Sequence, residues 1–170
     1  MNQRTFHTVH SNGVFTVSYA QQCDLDTIVF PCDGIEELIF HRCYIQDLKI
    51  PEGVERVICA RSGLRHVYVP EGVKYLLCQQ NFLTSLELPS TIESVDASEN
   101  QISSLTFSGF PQALGVLDLH DNWLPVLNFD PIPSDLEVLD LSHNEVDPSL
   151  FTPAMLAFFD KYYPDTRFRP

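Results

Sequence analysis

The sequence is dominated by one short hydrophobic pattern that returns seven times. Its clearest copy contains the run LDLSHN at residues 139–144 and has the spacing LxxLxLxxNxL. The copies start at residues 15, 35, 54, 73, 92, 114 and 136, so the period is 19 to 22 residues. Such a repeat predicts a solenoid, in which each copy forms one coil and neighbouring coils share a hydrophobic core.

The spacing within one copy predicts which side chains are buried. If the first half forms a strand, positions 4 and 6 point inward, whereas positions 3, 5 and 7 point outward. Position 9 turns inward, where an amide can bond the backbone of two neighbouring turns. In the degraded first copy we assign positions 1, 4 and 6 to Phe15, Ser18 and Ala20. The ladder position holds Asn81, Asn100, Asn122 and Asn144, with Ser62 as a weaker substitute.

This pattern resembles the leucine-rich repeat family across about residues 15–150. The short period is similar to that of bacterial repeats, including those of secreted ubiquitin-ligase effectors. The family implies a repeat solenoid with a parallel β-sheet on the concave side and a mostly irregular or extended convex side. The doubled Leu-Pro signature and the catalytic domain of those effectors are missing, so the resemblance implies no ligase activity. A proline after the second hydrophobic stretch fits the type: Pro51, Pro70, Pro89 and Pro131.

Both ends of a solenoid need caps, because a terminal coil leaves its core open. We expect a single domain over residues 1–170: an N-terminal cap at 1–14, seven repeats at 15–151 and a C-terminal cap at 152–170. The Asn12-Gly13 turn predicts a β-hairpin from residue 5 to 19. Thr152 followed by Pro153 predicts the start of a capping helix. Its buried stripe is expected to hold Met155, Leu156, Phe159 and Tyr162 or Tyr163.

The charge and the cysteines limit the classes of partner and compartment. The net charge is −13, and residues 86–170 hold 3 basic against 14 acidic residues. This surface repels phosphate, so we expect no nucleic acid or membrane partner, whereas a basic protein patch fits. Four of the five cysteines (Cys23, Cys43, Cys59 and Cys78) occupy pattern positions, which indicates a reducing, cytoplasmic compartment, or a host cytosol for a secreted effector. The pattern suggests no cofactor and no metal, and only Cys32 is expected to be exposed.

The outward positions change character at the copy that starts at residue 92. Position 5 is apolar before this copy and acidic from it onward, which predicts a surface with an aliphatic half and an acidic half. Adjacent aliphatic residues mark interaction sites, and Tyr and Arg are common at binding hot spots. The predicted partner-binding residues are Tyr19, Ile39, His41, Arg42, Arg56, Ile58, Arg61, Tyr75, Leu77, Asp96, Asp118, His120, Asp121, Asp140 and His143.

Other interpretations of these residues remain open. A row of β-branched residues also favours a sheet by itself, and exposed aspartates are common in such repeats. Position 10 carries Tyr44, Phe82 and Trp123, which either pack on loops or form a binding edge. A remote alternative is a metal-binding or hydrolytic site, with the residues Asp118, His120, Asp140 and His143.

The function that follows is noncatalytic. We expect a protein–protein interaction module, in an effector or a regulatory adaptor, that binds a protein partner through its concave sheet face. The alternative is a structural or self-associating acidic repeat module without a dedicated partner. The sequence leaves the oligomeric state open.

Overall fold

The computed structural model describes residues 6–9, 13–18, 34–41 and 43–162. Within these residues the chain forms a parallel-sheet β-solenoid of stacked coils, followed by one α-helix. The strands in chain order are β1 (Phe6–Val9), β2 (Val14–Ser18), β3 (Glu37–His41), β4 (Asp47–Lys49), β5 (Arg56–Ile58), β6 (His66–Tyr68), β7 (Tyr75–Leu77), β8 (Ser85–Leu88), β9 (Ser94–Asp96), β10 (Ser104–Phe107), β11 (Val116–Asp118) and β12 (Val138–Asp140).

Eight of these strands form the main sheet, in the order β1-β2-β3-β5-β7-β9-β11-β12. All pairs from β2 onward are parallel, and β1 is antiparallel to β2. The predicted N-terminal hairpin is therefore confirmed, with Phe6 opposite Ser18 and Val9 opposite Phe15. Gly13 has a φ of 80°, a left-handed conformation that glycine adopts without steric cost. Because β2 also pairs with β3, the hairpin supplies the first strand of the solenoid.

The register that the sequence suggested for the first copy is wrong. Phe15, rather than Ser18, lies opposite Leu38, and Thr16, rather than Tyr19, lies beside Ile39. Phe15 and Val17 are both buried, although Val17 was expected to face outward. Burying a Phe and a Val removes far more apolar surface from water than burying a Ser and an Ala would, and one face of the sheet must be apolar.

Among the described residues the second limb of the coils is extended, as predicted, and parts of it form two small parallel sheets. Strand β4 pairs with β6, and β10 pairs with β8. No such pairing joins β6 to β8 among the described residues, and small cavities lie near this interruption, one of about 140 Å³ and one of about 160 Å³. The second apolar row packs into the core and includes the buried residues Ile45, Leu48, Ile50, Leu64, Leu83, Leu86, Leu88, Ile102, Leu124, Leu127 and Phe129.

A ladder of buried side-chain amides joins successive coils. The Asn100 side-chain amide donates to the Cys78 carbonyl of the preceding coil at 3.1 Å and to the Ala97 carbonyl of its own coil at 3.1 Å. Its Oδ1 accepts from the Leu83 backbone N–H at 3.0 Å. The predicted ladder is thus present, and each amide satisfies backbone groups that would otherwise be buried without partners. Equivalent bonds are made by Asn81, Asn122 and Asn144.

The C-terminal helix α1 runs from Pro153 to Tyr162 in the described part of the chain. The Met155 backbone N–H donates to Thr152 Oγ1 at 3.3 Å, so Thr152 is the N-cap. Met155, Phe158 and Phe159 are buried against the last coil. Leu156 and Tyr162 are exposed, which corrects the predicted stripe at these two positions, and the alternative Tyr163 lies outside the described residues. Starting from Met155, positions three and four residues later share its face, and these are Phe158 and Phe159.

The ladder generates a stability prediction. Asn100→Leu leaves the buried Leu83 N–H without a partner, so it should lower the free energy of unfolding by about 1–3 kcal/mol or more. The Cys78 and Ala97 carbonyls each lose one hydrogen bond but keep a second one, from the amide of a neighbouring rung. The neighbouring amide offers a control, because Gln101→Leu changes a partly exposed side chain and should cost less than about 0.5 kcal/mol. Urea unfolding measures both values. Equal stability of Asn100→Leu and the wild type would contradict the ladder.

The buried thiols generate a second prediction. Cys43, Cys59 and Cys78 are buried, and burial raises the pKa of Cys59 to about 12. Since the thiolate is the reactive form, iodoacetamide at pH 8 should leave these three unmodified in the native protein and alkylate them after denaturation. Peptide mass spectrometry reads each cysteine separately. Rapid alkylation of Cys59 or Cys78 in the folded chain, or a disulfide between them, would show that the assigned core is wrong.

Candidate functional site

The outward residues at the centre of neighbouring strands form one continuous row across the main sheet. The register places Ile58 between Ile39 and Leu77, and it places Leu77 beside Asp96. The row therefore changes from aliphatic to acidic between two adjacent strands, β7 and β9. We call this outward surface the sheet face. In order, the row reads Ile39, Ile58, Leu77, Asp96, Asp118 and Asp140.

The aliphatic half of the sheet face is partly open to solvent. Ile39, Ile58 and Leu77 are each partly exposed. The residues directly before and after each of them in the sequence point inward and are buried. Strand alternation explains the difference, because the backbone sends successive side chains to opposite faces. Three aliphatic side chains therefore meet solvent side by side.

A polar cluster fixes the arginine that borders this half. The Arg56 guanidinium lies 4.4 Å from the centre of the Tyr75 ring, and its Nε lies 3.7 Å from Glu37 Oε1. The Tyr75 hydroxyl donates to Glu93 Oε2 at 2.7 Å, and this hydrogen bond raises the pKa of Tyr75. Stacking and pairing limit the rotamers of Arg56 and Tyr75, so a partner would meet a partly ordered surface.

Each aspartate of the acidic half has two roles: it contributes a negative charge to the surface, and one of its carboxylate oxygens accepts a backbone hydrogen bond. Asp96 Oδ1 accepts from the Ser98 backbone N–H at 3.1 Å, Asp118 Oδ1 from the His120 N–H at 3.0 Å, and Asp140 Oδ1 from the Ser142 N–H at 2.9 Å. These bonds to the residue two positions later hold the turn that ends each strand. The aspartates are thus structural as well as charged, a role that the sequence interpretation missed.

The three carboxylates also act on one another. Partial burial raises the pKa of Asp118, and the neighbouring charges of Asp96 and Asp140 raise it further, against the opposing hydrogen bond from the His120 N–H. The described ion pairs are Arg56–Glu37, His66–Asp47 and Lys74–Glu55, and none of them includes this half. Like charges on adjacent strands repel, so a cation on a partner would relieve a cost that the fold carries.

Position 8 has a backbone conformation that the sequence analysis did not predict. The described residues at this position have φ values between 52° and 58°, in the left-handed region. Only residues without β-branching occur there, which is the signal that could have revealed it. Arg61 Nε donates to Gln80 Oε1, and the Gln80 amide donates to the Glu99 carboxylate at 2.9 Å. The left-handed residues are Arg61, Gln80, Glu99, Asp121 and His143.

The two histidines of the acidic half lie close together. The rings of His120 and His143 are 4.9 Å apart in an edge-to-face arrangement, and His120 Nδ1 lies 2.8 Å from Ser142 Oγ. Among the described residues no group of three or more His, Cys, Asp or Glu side chains is placed to hold a metal ion. The geometry therefore lends no support to the metal alternative at Asp118, His120, Asp140 and His143.

The structure brings most of the predicted partner-binding residues onto one face. Tyr19 and Arg42 lie outside the described residues, and His41 ends strand β3 without a described side chain. The others follow the register of the main sheet or the turns directly after it. These are Ile39, Arg56, Ile58, Arg61, Tyr75, Leu77, Asp96, Asp118, His120, Asp121, Asp140 and His143.

Comparisons with known proteins give no relative. No family model matches the chain, and no curated protein or solved structure matches it significantly. In the part of the chain that the structure describes, no helix is both long enough and apolar enough to cross a membrane.

The partial burial of Asp118, together with the repulsion from its neighbouring carboxylates, predicts a pH-dependent stability. Because the pKa of Asp118 is raised above its ordinary 3.8, its ionised form weakens the fold at neutral pH, and the penalty disappears as pH falls through the raised pKa. Asp118→Asn keeps an oxygen acceptor for the His120 N–H, so it should raise the melting temperature at pH 7 and lose this advantage near pH 3.8.

Asp147 provides a control, because its replacement by Asn should change the melting temperature at pH 7 in the opposite direction. Hydrogen bonds from the Ser149 side chain and backbone lower its pKa, so its charge stabilises the fold above pH 3.8 and this contribution is lost as pH falls. Asp147→Asn should therefore lower the melting temperature at pH 7. Thermal unfolding between pH 3 and pH 7 measures both variants. A lower melting temperature for Asp118→Asn at pH 7 would contradict the repulsion.

Proposed function

We propose that this chain is a noncatalytic protein-recognition module of the leucine-rich repeat type, which binds a protein partner through its sheet face. The observation that carries the proposal is the in-register row in which three aliphatic side chains are followed by three carboxylates. The seven sequence repeats and the amide ladder support the leucine-rich repeat assignment. In such a protein the sheet face lies on the concave side.

The surface chemistry defines the partner that would fit. An apolar patch of the partner would cover Ile39, Ile58 and Leu77, and lysines or arginines beside it would face Asp96 and Asp118. Adjacent parallel strands lie about 4.8 Å apart, so the six strands of the row extend over roughly 24 Å. That length suits an epitope of ordinary size, with an aliphatic anchor and a charged border that directs association. We infer a reducing compartment from the buried thiols in the pattern positions.

Two other functions receive less support. A structural or self-associating acidic module would explain the charge, but it would need no aliphatic half or ordered Arg56. A hydrolytic site would require a nucleophile, a base and a sheltered pocket, and the sheet face is an open surface.

The proposal predicts the effect of charging the aliphatic half. A partner is first isolated with the wild-type chain and then purified, so that affinity is measured between two defined proteins. Ile58→Asp combined with Leu77→Asp should weaken binding at least roughly 100-fold, because apolar hot-spot residues become charged. Both side chains are partly exposed, so the fold should survive. Leu150→Asp with Leu156→Asp makes the same chemical change at exposed positions away from the face, and it should leave affinity unchanged.

The acidic half should act mainly on the rate of association. Asp118, Asp121 and Asp140 replaced together by Asn should slow the on-rate, and the difference should shrink at high salt, because charges are screened beyond about 8–10 Å. Stopped-flow or surface-based kinetics give both rates. Unchanged affinity of the double-Asp variant would contradict binding through the sheet face. Self-association of the wild type without any partner would favour the structural alternative.

A further inference from the structure

A second exposed surface lies along the edge where the main strands turn towards the other limb of each coil. Position 10 carries an aromatic residue in alternate coils, and we call Tyr44, Phe82 and Trp123 the aromatic row. Their exposed fractions are 43%, 48% and 54%, so each ring is about half open to solvent. The coils between them carry Gly63 and Gln101 at this position.

The contact at Gly63 explains why no side chain stands beside Tyr44 in the next coil. A Cβ added to Gly63 would lie 2.8 Å from two atoms of the Tyr44 ring. The Tyr44 ring therefore lies across position 10 of the next coil, where only a glycine leaves room. A ring that covers the next coil with one face presents its other face to solvent, in agreement with its half exposure.

The spacing of the row is set by the coils. The Phe82 N–H donates to the Leu64 carbonyl at 2.8 Å, and the Trp123 N–H donates to the Ile102 carbonyl at 3.0 Å, so the turns are stacked by backbone bonds. Adjacent coils lie about 4.8 Å apart, and alternate coils about 9.6 Å apart. A polyproline II helix advances about 9.3 Å per turn of three residues. Successive turns of such a helix therefore meet successive rings of the row.

The charged residues near the aromatic row change from basic at one end to acidic at the other. Arg61 and Arg65 are exposed near its beginning, where Arg65 lines a cavity beside Phe82. At the other end Trp123 has exposed acidic neighbours, Asp121 two residues before it and Glu145 at position 10 of the next coil. The sequence has no Lys or Arg between Lys74 and Lys161. A ligand with a cation at its Trp123 end is therefore favoured, which suits a peptide better than a neutral glycan.

We propose that the aromatic row binds a proline-rich segment of another protein in the polyproline II conformation, with arginine or lysine next to the prolines that reach Trp123. Such segments dock on aromatic side chains and lose little conformational entropy on binding, because they are extended before they bind. The three aromatic residues lie outside the sheet face, although Arg61 and Asp121 border both surfaces. The variants below change only aromatic residues, so their results are independent of the function proposed above.

The single tryptophan makes the test specific, because Trp123 is the only one in the chain. The purified chain of 170 residues is titrated with a peptide of ten prolines followed by two arginines. A Gly-Ser peptide that ends in the same two arginines is the matched ligand control. The proline peptide should change the Trp123 emission saturably, with a Kd between about 10 μM and 1 mM, and the Gly-Ser peptide should not.

Two variants test the position of the site. Phe82→Ser keeps the fluorescent reporter and should weaken affinity at least roughly fivefold. Tyr68→Ser removes an aromatic side chain that is 58% exposed but lies on β6, outside the row, and it should leave affinity unchanged. Circular dichroism confirms that each variant is folded, and Tyr44→Ser replaces Phe82→Ser if the latter is not.

Three results would overturn the assignment. The first is the absence of a saturable emission change with the proline peptide, and the second is an equal loss of affinity in Tyr68→Ser. The third is saturation by a soluble β-linked glucan oligosaccharide under conditions in which the proline peptide gives none, since the row would then be a glycan site.

Discussion

The buried asparagine amide is the interaction on which the rest of the structure depends. Each one bonds carbonyls of its own coil and of the preceding coil, and its oxygen accepts a backbone N–H from that preceding coil. An aliphatic side chain of similar size would fill the space but leave the buried N–H unpaired and each carbonyl with one hydrogen bond fewer. The amides therefore fix the position of each coil relative to its neighbour, while the apolar residues supply most of the free energy of folding.

Because the coils are fixed relative to one another, equivalent residues of successive coils form rows on the surface, and these rows determine its chemistry. Since each strand lies in register with the next, a change of residue type at one position becomes a border on the sheet face, as between Leu77 and Asp96. The same regularity spaces the aromatic row along the edge. The aspartates show that structure and recognition share residues, because Asp118 holds its own turn with one oxygen and contributes charge to the surface.

Much of this arrangement could be predicted from the sequence, because one pattern repeated seven times gives the same information again in each copy. The parallel main sheet, the hairpin, the ladder and the Thr152 cap followed from spacing and local chemistry. The register predicted for the first copy was wrong for a physical reason. Its residues match the pattern poorly, and two registers compete until the burial of Phe15 and Val17 decides between them.

Other features depend on contacts that a single copy does not contain. The pairing of β4 with β6 arises between coils, and the exposure of Leu156 depends on how helix α1 sits on the last coil. The left-handed backbone at position 8 left only an indirect signal, the absence of β-branched residues. The hydrogen bonds of Asp96 and Asp140 could not be predicted either. The sequence around an outward-facing aspartate in a repeat does not show whether its carboxylate bonds the turn that follows.

The central claim is that one protein partner spans both halves of the sheet face. Site-specific photo-crosslinking tests this claim most directly, with a benzophenone amino acid placed singly at positions 58, 118 and 68. Positions 58 and 118 lie in the two halves, whereas position 68 lies on β6 of the other limb. The account predicts that the same purified partner is crosslinked from positions 58 and 118 and not from position 68. Crosslinking from position 68 alone would contradict it.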